Sequence, residues 1–178
     1  MNLVEYTKLA QRTAMSRAYD YRYLVPGLLS EVGEAYGVEA KAHRDRLSDE
    51  DYYRRMVGEW GDIAWVVSLL IYRVEGSLRG RGMVLETPSL SETPTDRRPL
   101  PLILGAASSI AALIEADDVV SDEDLVSVRL CAYRIWYLLE LHAERVTGRT
   151  FTEVLEANLE KLGSRKRRNV LGGSGDFR

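Results

Sequence analysis

Cysteine is almost absent from this 178-residue chain. Cys131 stands alone, which excludes an internal disulfide and any multi-cysteine metal cluster and fits a reducing, cytoplasmic setting. Such a lone thiol is read as a small buried apolar side chain. Histidine is nearly as scarce. Neither His43 nor His142 stands in a Glu-x-x-His pattern, which disfavours a ferritin-like di-iron centre, where Glu and His are coupled three residues apart. No apolar run approaches the ~20 residues that span a bilayer; the longest, such as Ile63 to Ile71, end well short. Met1-Asn2-Leu3-Val4-Glu5 lacks a basic segment followed by an apolar one, so the chain is expected to be neither secreted nor membrane-spanning. Nor does charge of one sign dominate. With 24 Lys and Arg against 27 Asp and Glu the net charge is −3, leaving no global positive field to recruit nucleic acid or anionic membrane.

Strand-like alternation is also missing, and helical spacing takes its place, so the chain reads as one all-α domain over residues 1–178, a bundle of about six helices. The first helix is expected over Val4 to Arg17. A Tyr-rich connection, Tyr19 to Tyr23, leads past Pro26 into a second that runs to Asp45. Ser48 opens a third, with Asp49, Glu50 and Asp51 in its first turn complementing the helix dipole, and this helix is expected to end near Val74. Four of the five prolines and three glycines fall in residues 76–101, which therefore read as a long connection. A strongly apolar fourth helix follows from Leu102 to about Ala116. The fifth starts at Ser121 with Asp122, Glu123 and Asp124, and its core stripe is Leu125, Val128, Cys131, Ile135, Leu138 and Leu139. The sixth opens on the capping box Thr150-Phe151-Thr152-Glu153 and runs to about Lys166, ahead of a Gly-rich tail.

The chemical signal is a pair of acidic doublets on consecutive helices, Glu31-x-x-Glu34 and Glu59-x-x-Asp62. Residues three apart on a helix point the same way, so each doublet gathers like charges on one patch. Both doublets lie in apolar surroundings, Leu24 to Leu29 before the first and Trp60 to Val67 around the second. Carboxylates on a core-directed face need a partner. Two such helices packed antiparallel bring four carboxylates together, an all-oxygen set suited to Mg²⁺, with Mn²⁺ as a substitute. Lys41 and Arg44 continue the face of Glu34 and are candidates to grip phosphate oxygens, the plainer alternative being ion pairs within the helix, for instance with Asp45.

Several stretches together resemble a family. Met1 to Tyr6 with Thr13-Ala14, Leu29-Ser30-Glu31-Val32-Gly33-Glu34 with Lys41 and Arg44-Asp45, Glu59-Trp60-Gly61-Asp62-Ile63-Ala64-Trp65, and Asn158-Leu159-Glu160-Lys161-Leu162 with Arg165 are similar to the MazG-like all-α nucleoside triphosphate pyrophosphohydrolases, relatives of dimeric dUTPases and phosphoribosyl-ATP pyrophosphohydrolases. The tail from Arg165 through Arg168 to Arg178 is similar to that of phage-type members. The resemblance implies that Glu31, Glu34, Glu59 and Asp62 bind Mg²⁺, and that Asn158 and Lys161 contact nucleotide. Arg165 and Arg168 join them as candidate substrate-binding residues. The reaction implied is hydrolysis of a ribo- or deoxynucleoside triphosphate to monophosphate and pyrophosphate, as nucleotide-pool housekeeping, and Glu31 is the candidate general base.

The chain departs from that family between its second acidic helix and its closing helix, where residues 102–147 are extra. Ile135-Trp136-Tyr137 echoes Ala64-Trp65-Val66, and in that register Leu130 and Tyr133 fall where Glu59 and Asp62 stand. The segment is either a degenerate internal duplication standing in for a second subunit, which permits a monomer, or an unrelated insertion, which leaves a homo-oligomer. The alternative to an enzyme is a non-catalytic helical interaction module, its doublets a structural metal site and its basic tail touching nucleic acid, a partner that the net charge disfavours.

Overall fold

A computed structural model describes residues 1–89, 98–114 and 120–168. Among these residues all regular structure is helical: six α-helices, one 3-10 turn and no strand. The helices are α1 (Leu3–Ala10), α2 (Tyr21–Asp45), α3 (Asp49–Gly80), α4 (Pro99–Leu113), α5 (Asp122–Thr147) and α6 (Phe151–Arg167). None is long and apolar enough to cross a membrane.

Where the local sequence carries a cap, the helix starts as expected. The Ser48 and Ser121 hydroxyls accept from the backbone N–H groups of Asp51 and Asp124 at 3.2 and 3.0 Å. At Thr150 the capping box is complete: the hydroxyl accepts from the Glu153 N–H, and the Glu153 carboxylate accepts from the Thr150 N–H at 2.8 Å. Each cap stabilises its helix by about 1 kcal/mol.

Elsewhere the boundaries move, each for a physical reason. Helix α1 stops at Ala10 instead of running to Arg17, because its end tightens into i→i−3 bonds and the Thr13 hydroxyl turns back onto the Ala10 carbonyl at 2.7 Å. That hydroxyl also accepts from the Trp65 indole N–H at 3.2 Å, and a 3-10 turn at Ser16–Tyr19 follows. Helix α2 begins at Tyr21, ahead of Pro26 instead of after it, capped by the Asp20 carboxylate on the Arg22 N–H at 2.9 Å. Pro26 is tolerated inside it because it is exposed and close to the helix start, so only one early backbone bond is lost. Helix α3 continues to Gly80, beyond Val74, since Val74 and Leu78 are both buried and hold its last turns on the core. Helix α4 starts at Pro99, where a proline ring suits the first turn. Its expected end at Ala116 lies outside the described residues, as do Pro94 in the connection and the tail from Asn169 onward.

Helices α2 and α3 form a hairpin through a short turn in which Arg46 takes the left-handed conformation at φ 52°, and α4 and α5 form another. Helix α2 packs on α3 and α4, and α5 packs on α3 and α4. Helices α1 and α6 close over α3. Trp60, fully buried, ties α3 to α5 by donating its indole N–H to the Leu139 carbonyl at 3.0 Å. On α5 the expected stripe is buried apart from Cys131, which is only half-buried and whose place in the core is taken by Ala132.

Candidate metal centre

The short α2–α3 turn makes the two helices antiparallel and sets Glu31 and Glu34 opposite Glu59 and Asp62. One carboxylate oxygen from each of Glu31, Glu34 and Glu59 falls within 4.8 Å of the others. Glu34 is exposed and the other two are half-buried. Three like charges at this spacing repel. Glu31 records the strain: its carboxyl is pushed up to about 7, first by burial and then by the charges of Asp62, Glu34 and Glu59, with Lys161 opposing. A cation would relieve that repulsion. The donor set suits a hard ion, because oxygens around one Mg²⁺ at roughly 2.1 Å lie no more than about 4.2 Å apart, close to the separation the helices already impose.

Asp62 stands beside this triad and is restrained on both oxygens. Its Oδ1 accepts from the Asn158 amide Nδ2 at 2.7 Å, and its Oδ2 takes an ion pair from Lys161. Asn158, 3% exposed, is held in turn by the Tyr6 hydroxyl, which donates to its Oδ1 at 2.8 Å. Tyr6 is fully buried, and burial, followed by the Asp62 charge, pushes its phenol well above the usual tyrosine range, so it remains a donor. Helices α3 and α6 approach closely enough for this because residue 61 is glycine: a β-carbon there would meet the Asn158 β-carbon at 2.8 Å.

Of the residues expected at the site, Glu31, Glu34 and Glu59 converge, while Asp62, expected as the fourth metal ligand, lies outside that group and is held by Asn158 and Lys161. Lys41 is exposed on α2, about 10 Å along the helix axis from Glu34. Arg44, one turn further, forms a bidentate pair with Asp45 at 2.6 and 2.7 Å, the intrahelical alternative. Arg165 is half-buried one turn beyond Lys161, and Arg168 is exposed at the end of α6. Tyr6 and Gly61 are neighbours of the site that residue chemistry alone does not announce. The available signal for Gly61 is a glycine between two carboxylates in an apolar stretch; Tyr6 is marked only by the resemblance of Met1 to Tyr6, and its contact spans 152 positions.

A groove of about 700 Å³ lies between the 3-10 turn, the start of α2 and the end of α3, where Arg73 stacks on Tyr21 at 5.1 Å; the carboxylates do not line it. No family model matches the chain, and neither a curated protein nor a solved structure is found to be similar to it.

Proposed function

We propose that this protein hydrolyses a nucleoside or deoxynucleoside triphosphate between the α and β phosphorus atoms, releasing the monophosphate and pyrophosphate. The observation that carries this reading is the convergence of Glu31, Glu34 and Glu59 from two helices, with Lys161 alongside on the Asp62 carboxylate. Glu31, Glu34, Glu59 and Asp62 are the residues that hold Mg²⁺, or Mn²⁺ in its place. When bound, that ion supplies neutralisation of phosphate charge and a more acidic water.

The chain's own groups supply the rest. Glu31 accepts the proton of the water whose oxygen bonds to the α-phosphorus while the bridging P–O bond breaks and pyrophosphate leaves. Burial raises the carboxyl's affinity for a proton in the metal-free protein, which is what recommends Glu31 as the base. Lys161, its side chain one-third exposed, exchanges Asp62 for a phosphate oxygen. Arg165 and Arg168, on the last turns of α6, extend the cationic rim along which the phosphate tail lies. Lys41 and Arg44 hold its outer end when Arg44 releases Asp45. On this reading helices α4 and α5 stand in for a second subunit, which permits a monomer as the active species.

The test is pyrophosphate release from a panel of ribo- and deoxynucleoside triphosphates, with Mg²⁺, with Mn²⁺ and with chelator, beside a Glu59→Gln control. Metal-dependent pyrophosphate with equal monophosphate, absent in the control, is the expected result. Orthophosphate and diphosphate would place the attack at the γ-phosphorus and overturn the mechanism. Light-scattering mass in solution checks the monomer.

A further inference from the structure

We propose that Tyr6 is a positioning residue, which acts through Asn158 to fix the orientation of Asp62 at the acidic centre; the proposal rests on the reading of that centre given above. The argument is one of hydrogen-bond direction. The Asp62 carboxylate can only accept, so the Asn158 amide must present its NH₂ to it, as it does at 2.7 Å. That leaves the amide oxygen facing α1, where the Tyr6 hydroxyl donates to it at 2.8 Å. Were the amide to flip, two oxygens would face each other at Asp62. The carboxylate thus sets the amide orientation, and Tyr6 holds the amide in place by donating to the oxygen that this orientation turns towards α1.

The two restraints on Asp62 differ in permanence. Asn158 is 3% exposed and Tyr6 fully buried, and both ends of the amide are engaged. The Lys161 side chain is one-third exposed on a flexible stem. When a cation and a phosphate arrive, the lysine is the partner that can leave, while the Tyr6–Asn158 pair keeps Oδ1 in place and leaves Oδ2 available to a new partner. Helix α1, which contributes no carboxylate, thus sets the geometry of one. Outer partners of this kind commonly govern metal affinity by about 10- to 100-fold.

The experiment compares Tyr6→Phe, Asn158→Ala and the double variant, reading Mn²⁺ affinity without nucleotide and, separately, pyrophosphate formation. Tyr6→Phe should weaken Mn²⁺ binding about ten-fold and lower kcat with little change in KM. The double variant should be no worse than Asn158→Ala alone, because both act through one path. Lys161→Met, which removes only the exchangeable partner, should leave Mn²⁺ affinity undiminished. Wild-type Mn²⁺ affinity in Tyr6→Phe, or effects that multiply in the double variant, would overturn the proposal. Should Tyr6→Phe fail to fold, Asn158→Ala carries the test alone and must show the same loss. A wild-type protein that binds Mn²⁺ but turns over no nucleotide would remove the proposed reaction and leave the Mn²⁺ comparison to judge Tyr6.

Discussion

Gly61 and Asn158 touch so closely that a β-carbon on the glycine would lie 2.8 Å from that of the asparagine, well inside ordinary contact. The backbone of α3 is thereby the floor on which α6 rests, and the only side chain that leaves room is a hydrogen atom.

Gly61→Ala should consequently push α6 outward, costing about 1–3 kcal/mol from overpacking and loosening the Asn158–Asp62 bond. Gly37→Ala is the control: nothing lies within 4 Å of its built β-carbon, so the usual helical gain of about 0.5–1 kcal/mol is expected. Urea denaturation of both variants checks the pair, and equal shifts of the same sign would refute the argument.

The acidic centre should make the metal-free protein less stable as pH rises. Glu31 titrates near 7 when folded and near 4.5 when unfolded. Between those values the folded state binds the extra proton, so stability is present at low pH and is lost as pH climbs through the window. In chelator, Glu31→Gln should be more stable than wild type, and the difference in Tm should be larger at pH 8 than at pH 5. Added Mg²⁺ should stabilise wild type by about 2.7 kcal/mol at a hundred times its Kd, and Glu31→Gln far less. A Tm difference independent of pH would contradict the origin assigned to the shift.

Far from the centre, Glu75 on α3 holds a second charge network. Its Oε1 accepts from Arg129 Nε and from the Tyr133 hydroxyl, both at 2.9 Å, and its Oε2 pairs with Arg79. Arg129 is 8% exposed and also donates to the Glu86 carbonyl at 2.7 Å, pinning the start of the connection. Glu75→Gln strands a buried cation and should cost about 3–5 kcal/mol. A change below about 1 kcal/mol on denaturant unfolding would show that solvent screens the pair.

His142 should govern the acid side. It is buried on α5, its Nε2 lacks a hydrogen-bond partner, and burial, aided by Arg145, lowers its pKa. A group depressed in this way stays neutral in the fold and takes up its proton on unfolding, so stability falls as pH drops below about 6.5. His142→Leu removes the unsatisfied nitrogen and should gain about 1 kcal/mol, with an advantage that widens from pH 7 to pH 5. Parallel Tm curves for the two proteins would count against it.

How much of this was legible beforehand follows from the range of each interaction. Ser48, Ser121 and Thr150 cap their own helices, so those starts are written within four residues. The triad was legible too, because i, i+3 spacing fixes which way two carboxylates point once a helix is assumed. The end of α1 was not, since it depends on Thr13 meeting Trp65 across 52 positions. Nor was the early start of α2, because Pro26 ordinarily marks a helix boundary and the Asp20 cap lies within a Tyr-rich stretch without helical spacing. Asn158 and Lys161 entered through a resemblance, and their attachment to Asp62, 96 and 99 positions away, emerges only when α6 docks.

That long reach orders events during synthesis. The α2–α3 hairpin, with its triad of glutamates, is complete once residue 80 has been made, and chains generally fold from the N-terminal side as they emerge. Asp62 must then wait for Asn158 and Lys161, near the far end of the described chain, before it is clamped. Until then the nascent hairpin carries its acidic face without the lysine that offsets it, and a divalent ion captured at that stage would act as a folding ligand before it could take part in any reaction.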